Sequence, residues 1–168
     1  MLLVLAGLVA CGKPPPKEPK VNNSYNYGSR YMWEMNGYQN DQLLRYLERR
    51  FVKDGGQVIS VGQDYKLIFP NNMIFYNNSP RIYWNAYRVL NDVSRYLRVF
   101  NKSEVKVVVY VQSTGNPDRD HALSSMRSVN ISDYLWGQNI GTGLMYAKGY
   151  VTTSQFNQIE ISFRNVMV

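Results

Sequence analysis

The stretch Val105–Val111 reads VKVVVYV, and it limits the fold more than any other part of the chain. Apart from Lys106 every residue in it is β-branched or aromatic, which favours a strand over a helix. A run that is apolar at nearly every position suits a central strand covered on both faces. It is bracketed by two segments of helical period. From about Ile82 to Phe100, the residues Trp84, Tyr87, Leu90, Val93, Leu97 and Phe100 recur at three- and four-residue spacing and make one apolar stripe. Arg81, Arg88 and Arg95 fall seven apart on the other side, either as a solvated basic face or as a contact for a polyanion. From about Arg119 to Gln138 a second long helix is expected, with Gly141 and Gly143 marking its exit.

Shorter signals complete the order. Val58–Val61 and Tyr65–Phe69 read as strands around a Gly62-Gln63-Asp64 turn. Met73–Tyr76 is a short apolar stretch before the turn cluster Asn77-Asn78-Ser79-Pro80, and Leu144–Lys148 and Gln158–Arg164 read as closing strands. The sequence strand, helix, strand, helix, strand, strand predicts an α/β (α+β) two-layer sandwich over residues 57–168, a βαβαββ domain with a mixed sheet. An extra helix precedes it within residues 37–56. Its core is Asp41–Lys53, with Asn40 or Asp41 as N-cap, an apolar set of Leu43, Leu44, Leu47, Phe51 and Val52, and a Gly55-Gly56 stop.

The N-terminus has a different character. Residues 1–10, MLLVLAGLVA, are apolar but too short to span a bilayer, and fit the hydrophobic region of a signal peptide. No Lys or Arg precedes the run. It meets the single cysteine as Leu8-Val9-Ala10-Cys11, which resembles the bacterial lipobox. That resemblance implies diacylation of Cys11, and Gly12 after it implies the outer rather than the inner membrane. The alternative is a buried strand with a chance cysteine. Residues 11–36 then form a tether: GKPPPKEPKVNN favours extended polyproline II, and SYNYGSRYMWEMN is either docked on a partner or partly disordered.

Composition removes several function classes. One Cys and one His make neither an internal disulfide nor a Cys/His metal cage. His121 has no nucleophile–acid set around it, and no Gly-rich phosphate loop exists, so no catalytic residue, metal or cofactor is expected. The net charge of +7 serves either solubility or an anionic partner. Nucleic acid is not expected for a lipid-anchored chain on the periplasmic face.

Val105–Leu135 resembles the core signature of the OmpA-like domain: an apolar strand, a Thr-Asp-x-x-Gly loop, a Leu-Ser-x-x-Arg helix start and a Tyr-Leu pair. Here these are Val111-Gln112-Ser113-Thr114-Gly115, Leu123-Ser124-Ser125-Met126-Arg127 and Tyr134-Leu135, with Ile159-Glu160-Ile161 at the closing strand. The likeness covers roughly Val58–Phe163. A narrower likeness, to lipoproteins of the Dot/Icm type IVB secretion system, rests on Gly62-Gln63-Asp64-Tyr65, Ser79-Pro80-Arg81, His121-Ala122-Leu123 and Asp133-Tyr134-Leu135-Trp136.

The resemblance implies a site for the diaminopimelate of the peptidoglycan stem peptide. Its ammonium wants an acid and its carboxylate wants an arginine. Arg127 stands at the family's Arg position, between Leu123 and Ile131 on the inward stripe, where it meets either the ligand or a carboxylate of its own domain. Gln112 stands at the Asp position, which loses a charge-assisted bond of about 1–3 kcal/mol, roughly ten- to hundredfold in affinity. Thr114 and Asp120, or Asp118, lie in the same loop as candidate ligand groups, and Phe156-Asn157-Gln158 replaces the family's Asn-Arg-Arg run. Met126, Val129 and Trp136 fall on the opposite helix face, either a partner-docking surface or a strip covered by the N-terminal helix. The function implied is an outer-membrane lipoprotein that is a structural part of an envelope-spanning secretion complex, with other subunits, the membrane and peptidoglycan as partners. The alternative is a stand-alone lipoprotein tethering outer membrane to cell wall.

Overall fold

A computed structural model of the protein describes residues 37–166. The expected signal segment, Cys11 and the expected tether lie outside the described residues. Among those described, no helix is long and apolar enough to cross a membrane.

Nine elements follow in order: α1 (Gly37–Lys53), β1 (Gln57–Val61), β2 (Asp64–Pro70), α2 (Asn71–Ile74), α3 (Ala86–Arg98), β3 (Glu104–Gln112), α4 (Pro117–Gly137), β4 (Leu144–Thr152) and β5 (Gln158–Arg164). The five strands form one mixed sheet in the order β1-β2-β5-β3-β4. Only β3 and β4 run parallel, joined by the crossover helix α4; the other pairs are antiparallel. The expected two-layer α/β architecture and the extra N-terminal helix are both present. The two strands read around the Gly62-Gln63-Asp64 turn form the β1–β2 hairpin, closed by Gly62 at positive φ; only the expected element order counted one strand there instead of two.

The core lies between the sheet and its helices. Val105, Val107, Val109 and Val111 point into it beside Leu67, Phe69, Ile159, Ile161 and Phe163. The intervening Val108 and Tyr110 are half-buried on the sheet's other face. β3 is therefore covered fully on one side only, and its second apolar parity marks a partly open surface rather than a second helix layer. Opposite the strands, α3 contributes Ala86, Val89, Leu90, Val93, Tyr96, Leu97 and, just past its end, Phe100.

Several expectations for α1 and α3 are corrected. α3 begins at Ala86, because Phe75 and Ile82 pair as an isolated bridge and Trp84-Asn85 then form a turn before the helix. Trp84 is consequently 81% exposed and Tyr87 also faces solvent, so neither belongs to the buried stripe. Arg81 precedes the helix and sits over the Tyr76 ring, while Arg88 pairs with Asp54 at 2.9 Å and Arg95 with Asp92 at 3.5 Å. The three arginines thus form no single basic face. In α1 the helix starts at Gly37, so Asn40 and Asp41 lie inside it rather than at its cap, and Val52 is exposed. Leu47 and Phe51 do enter the core, and Arg50 ties α1 to α3 through the buried Asp92 at 2.9 Å.

Candidate functional site

The parallel crossover places a loop and a helix N-terminus at the C-terminal end of β3. Asn116 caps α4, its Oδ1 accepting from the Arg119 backbone N–H at 3.2 Å, and Pro117 occupies the first turn. Gln112 is the last residue of β3, in register with Thr152 and exposed. The loop is then folded back on Asp120. The Thr114 backbone N–H donates to Asp120 Oδ2 at 2.7 Å, Thr114 Oγ1 to Oδ1 at 2.8 Å, and Ser113 Oγ to Oδ2 at 3.4 Å. The Thr114 bonds hold the Asp120 carboxyl below the usual carboxylate range. Asp120 is therefore first a loop staple, with both oxygens engaged inside the protein.

Arg127 lies two turns further along α4 and is only 4% exposed. Its Nε donates to the Ser79 carbonyl at 3.0 Å and Nη2 to the Tyr76 carbonyl at 2.9 Å, while its guanidinium stacks over Phe75 at 4.9 Å. Asn130 adds a bond from Nδ2 to the Pro80 carbonyl at 2.9 Å. Helix α4 thereby holds the 75–81 segment against itself through three carbonyls. Among the described residues no carboxylate pairs with Arg127, so of the two alternatives the intradomain salt bridge is absent. Burial pulls the guanidinium's pKa down from its ordinary value. Its Nη1 makes no hydrogen bond among the described residues, which leaves a donor for an anionic group.

The structure thus groups Thr114 with Asp120 and places Arg127 separately. Asp120 and Arg127 are seven residues apart, roughly 10 Å along the helix axis. Gln112 makes no side-chain hydrogen bond among the described residues.

On the outer side of the same helix, Met126, Val129 and Trp136 are 52%, 45% and 56% exposed. α1 packs on α3 and β1 and leaves them open. Val129 and Trp136 line a groove of about 400 Å³ against β4, together with Ser132, Asp133, Leu144, Met145 and Ala147. The groove ends where α4 descends onto the sheet. A Cβ on Gly149 would stand 2.3 Å from Ser124 and Ser125 backbone atoms, so only glycine permits that contact. Sequence reasoning found Met126, Val129 and Trp136 through helical phase. It missed Ser132, Met145 and Ala147, which became neighbours of that face only through the β3–β4 crossover. The lone glycine inside an otherwise strand-like YAKGYV run was the one available signal.

Residues 74–160 match the model of the OmpA family. The probable lipoprotein YiaD of Escherichia coli is 26% identical over 113 residues, covering 67% of this chain and 52% of that protein. The chain thus spans about half the length of this curated relative. Solved structures share the fold. The cell wall anchor of the type VI secretion system from Pseudomonas aeruginosa superposes with a TM-score of 0.64 at 16% identity, covering 74% of this chain and 97% of that one. An outer membrane protein of Borrelia burgdorferi gives 0.56 at 22% identity, over 67% and 99%. The periplasmic domain of Helicobacter pylori MotB gives 0.58 at 17%, over 66% and 80%.

Proposed function

This chain belongs to the OmpA family, and from that premise we propose that it is a non-enzymatic outer-membrane lipoprotein that docks into an envelope-spanning secretion complex and contacts the cell wall. The finer reading, a subunit of the Dot/Icm type IVB system resembling DotK (IcmN), rests on the short motifs around Gly62, Ser79, His121 and Asp133. Cys11 would carry the lipid and residues 12–36 the tether, placing the domain on the periplasmic side. YiaD is named a probable lipoprotein, and the Pseudomonas aeruginosa relative in fold is named a cell wall anchor of a secretion system, which supports this combination of roles.

One observation carries the reading: Arg127 is buried on the inward face of α4 with Nη1 unbonded among the described residues, while the opposite helix face is apolar and open. The resemblance puts Arg127 at the family's Arg position and the neutral Gln112 at its acid position. A diaminopimelate group would meet Nη1 through its carboxylate, and its ammonium would have only the neutral Gln112 amide oxygen and loop oxygens. Wall contact is therefore weak, and Met126, Val129 and Trp136 supply the stronger surface for other subunits.

The test is fractionation and cross-linking in the native cell. The wild-type protein should float with the outer membrane and cross-link from position 129 or 136 to subunits of the secretion complex. Cys11→Ser should release it from the membrane. Recovery in the inner membrane, or cross-links confined to peptidoglycan, would overturn the docking role and leave the stand-alone tether.

A further inference from the structure

Among the described residues, the groove beside α4 adjoins an unpaired strand edge. β4, nine residues long, is the last strand of the sheet among the described residues, with β3 on one side only. Its backbone direction is fixed by two bonds. The Leu144 N–H donates to the Ser103 carbonyl at 3.0 Å, and the Thr152 carbonyl accepts from the Ser113 N–H at 2.9 Å. Residues of that parity turn their backbone groups toward β3. Met145, Ala147, Gly149 and Val151 therefore turn theirs outward, as a row of free donors and acceptors.

Two chemical features flank this row on opposite faces. On the helix side lies the apolar groove, with the Asp133 carboxylate at its rim and no ion pair among the described residues. Ser132, 7% exposed, lines it, and its Oγ makes no hydrogen bond among the described residues. On the open face Lys148 is likewise without a carboxylate among the described residues and sits over the Tyr150 ring at 5.0 Å.

We propose that β4 is a strand-addition site for an extended segment of a partner protein, whose groove-facing residues are apolar with one basic residue for Asp133, and whose other face presents an acid to Lys148. This rests on the docking reading above and names its mode. Added backbone bonds would hold the segment, and alternation of its side chains would read the two faces. Met126 and Trp136 would close over its apolar side. A second copy of this chain is the poorer occupant, because antiparallel pairing centred on β4 sets Lys148 against Lys148.

The test uses the full chain and two synthetic nonapeptides of the same composition. One has Arg among its groove-facing apolar residues and Glu facing Lys148; the other exchanges the two charges. The first should bind and slow hydrogen exchange at the Met145, Ala147, Gly149 and Val151 amides at least tenfold. Ala147→Pro removes an outward N–H without touching the β3 ladder and should abolish binding. Val129→Asp, on the exposed helix face, should weaken it at least tenfold. The Asp133→Lys/Lys148→Glu double variant should prefer the second peptide.

Equal binding of both peptides, no amide protection by either at millimolar concentration, or Ala147→Pro binding like wild type with an unchanged urea midpoint would each overturn the proposal. So would protection of the same amides by dimerisation without peptide. Ala147→Pro should sediment with peptidoglycan as wild type does, so failure here is distinct from failure of wall contact, and cross-linking to secretion subunits separately reports the docking role.

Discussion

A guanidinium as buried as that of Arg127 must find acceptors, and here they are backbone carbonyls rather than a carboxylate. Arg127→Ala should leave the Tyr76 and Ser79 carbonyls unpaired and cost about 2–3 kcal/mol, read as a lower urea midpoint. Arg127→Lys should restore only part, since one ammonium cannot reproduce the planar fork. Lys102 is a second buried cation, its Nζ donating to the carbonyls of Leu97, Phe100 and Ile140 at 2.6, 3.2 and 2.6 Å. Burial lowers its pKa to about 8 from 10.5. The unfolded chain then binds more protons than the folded one between those values, so this residue makes stability rise with pH across that window. Lys102→Met should flatten the rise, measured as the difference in urea midpoints at pH 7.5 and 10. Asp120 has the opposite sense of charge: its lowered carboxyl stabilises the loop above the ordinary carboxylate range and loses that contribution as pH falls through the folded value. The sequence indicated the position of Arg127 but not its partners, which lie 48 and 51 residues away and meet it only in the fold.

At the scale of elements, the pairing of α4 with β4 decides where the open groove begins. Ser124 and Ser125 of the helix rest against Gly149, and there is no room for a side chain. Gly149→Val should destabilise the protein by about 3 kcal/mol, or prevent folding, as overpacking at rigid backbone does. Gly137→Ala, with open space around its position, should be close to neutral. Strand positions were legible because β-branched residues and turn glycines mark them, and the predicted closing strand Gln158–Arg164 coincides with β5. The stripe of α3 was legible only in part. Counting from Trp84 gave Leu90, Val93, Leu97 and Phe100 their correct place, but no local signal shows that the Phe75–Ile82 bridge delays the helix to Ala86. Nor could apolarity tell one covered face of β3 from two, because Val108 and Tyr110 sit on a half-open surface that composition does not distinguish from a core.

For the whole molecule, the proposed function uses two contacts on opposite sides of one helix. The inward side carries Arg127 and the Asp120-stapled loop; the outward side carries Met126, Val129 and Trp136 beside the β4 edge. This division was visible in the sequence as two helical phases of α4, whereas the groove needed the crossover to bring β4 alongside. The central claim is that the inward site is an OmpA-type wall site weakened by a neutral residue at the acid position. Its most direct test is cosedimentation of the full chain with purified diaminopimelate-type sacculi, comparing wild type, Gln112→Asp and Gln112→Asp/Arg127→Ala. Gln112→Asp should raise the pelleted fraction, equivalent to roughly ten- to hundredfold in affinity, and adding Arg127→Ala should remove the gain. If Gln112→Asp binds no better than wild type, or if the double variant pellets as strongly as Gln112→Asp, then Gln112 and Arg127 do not form one site and the claim fails.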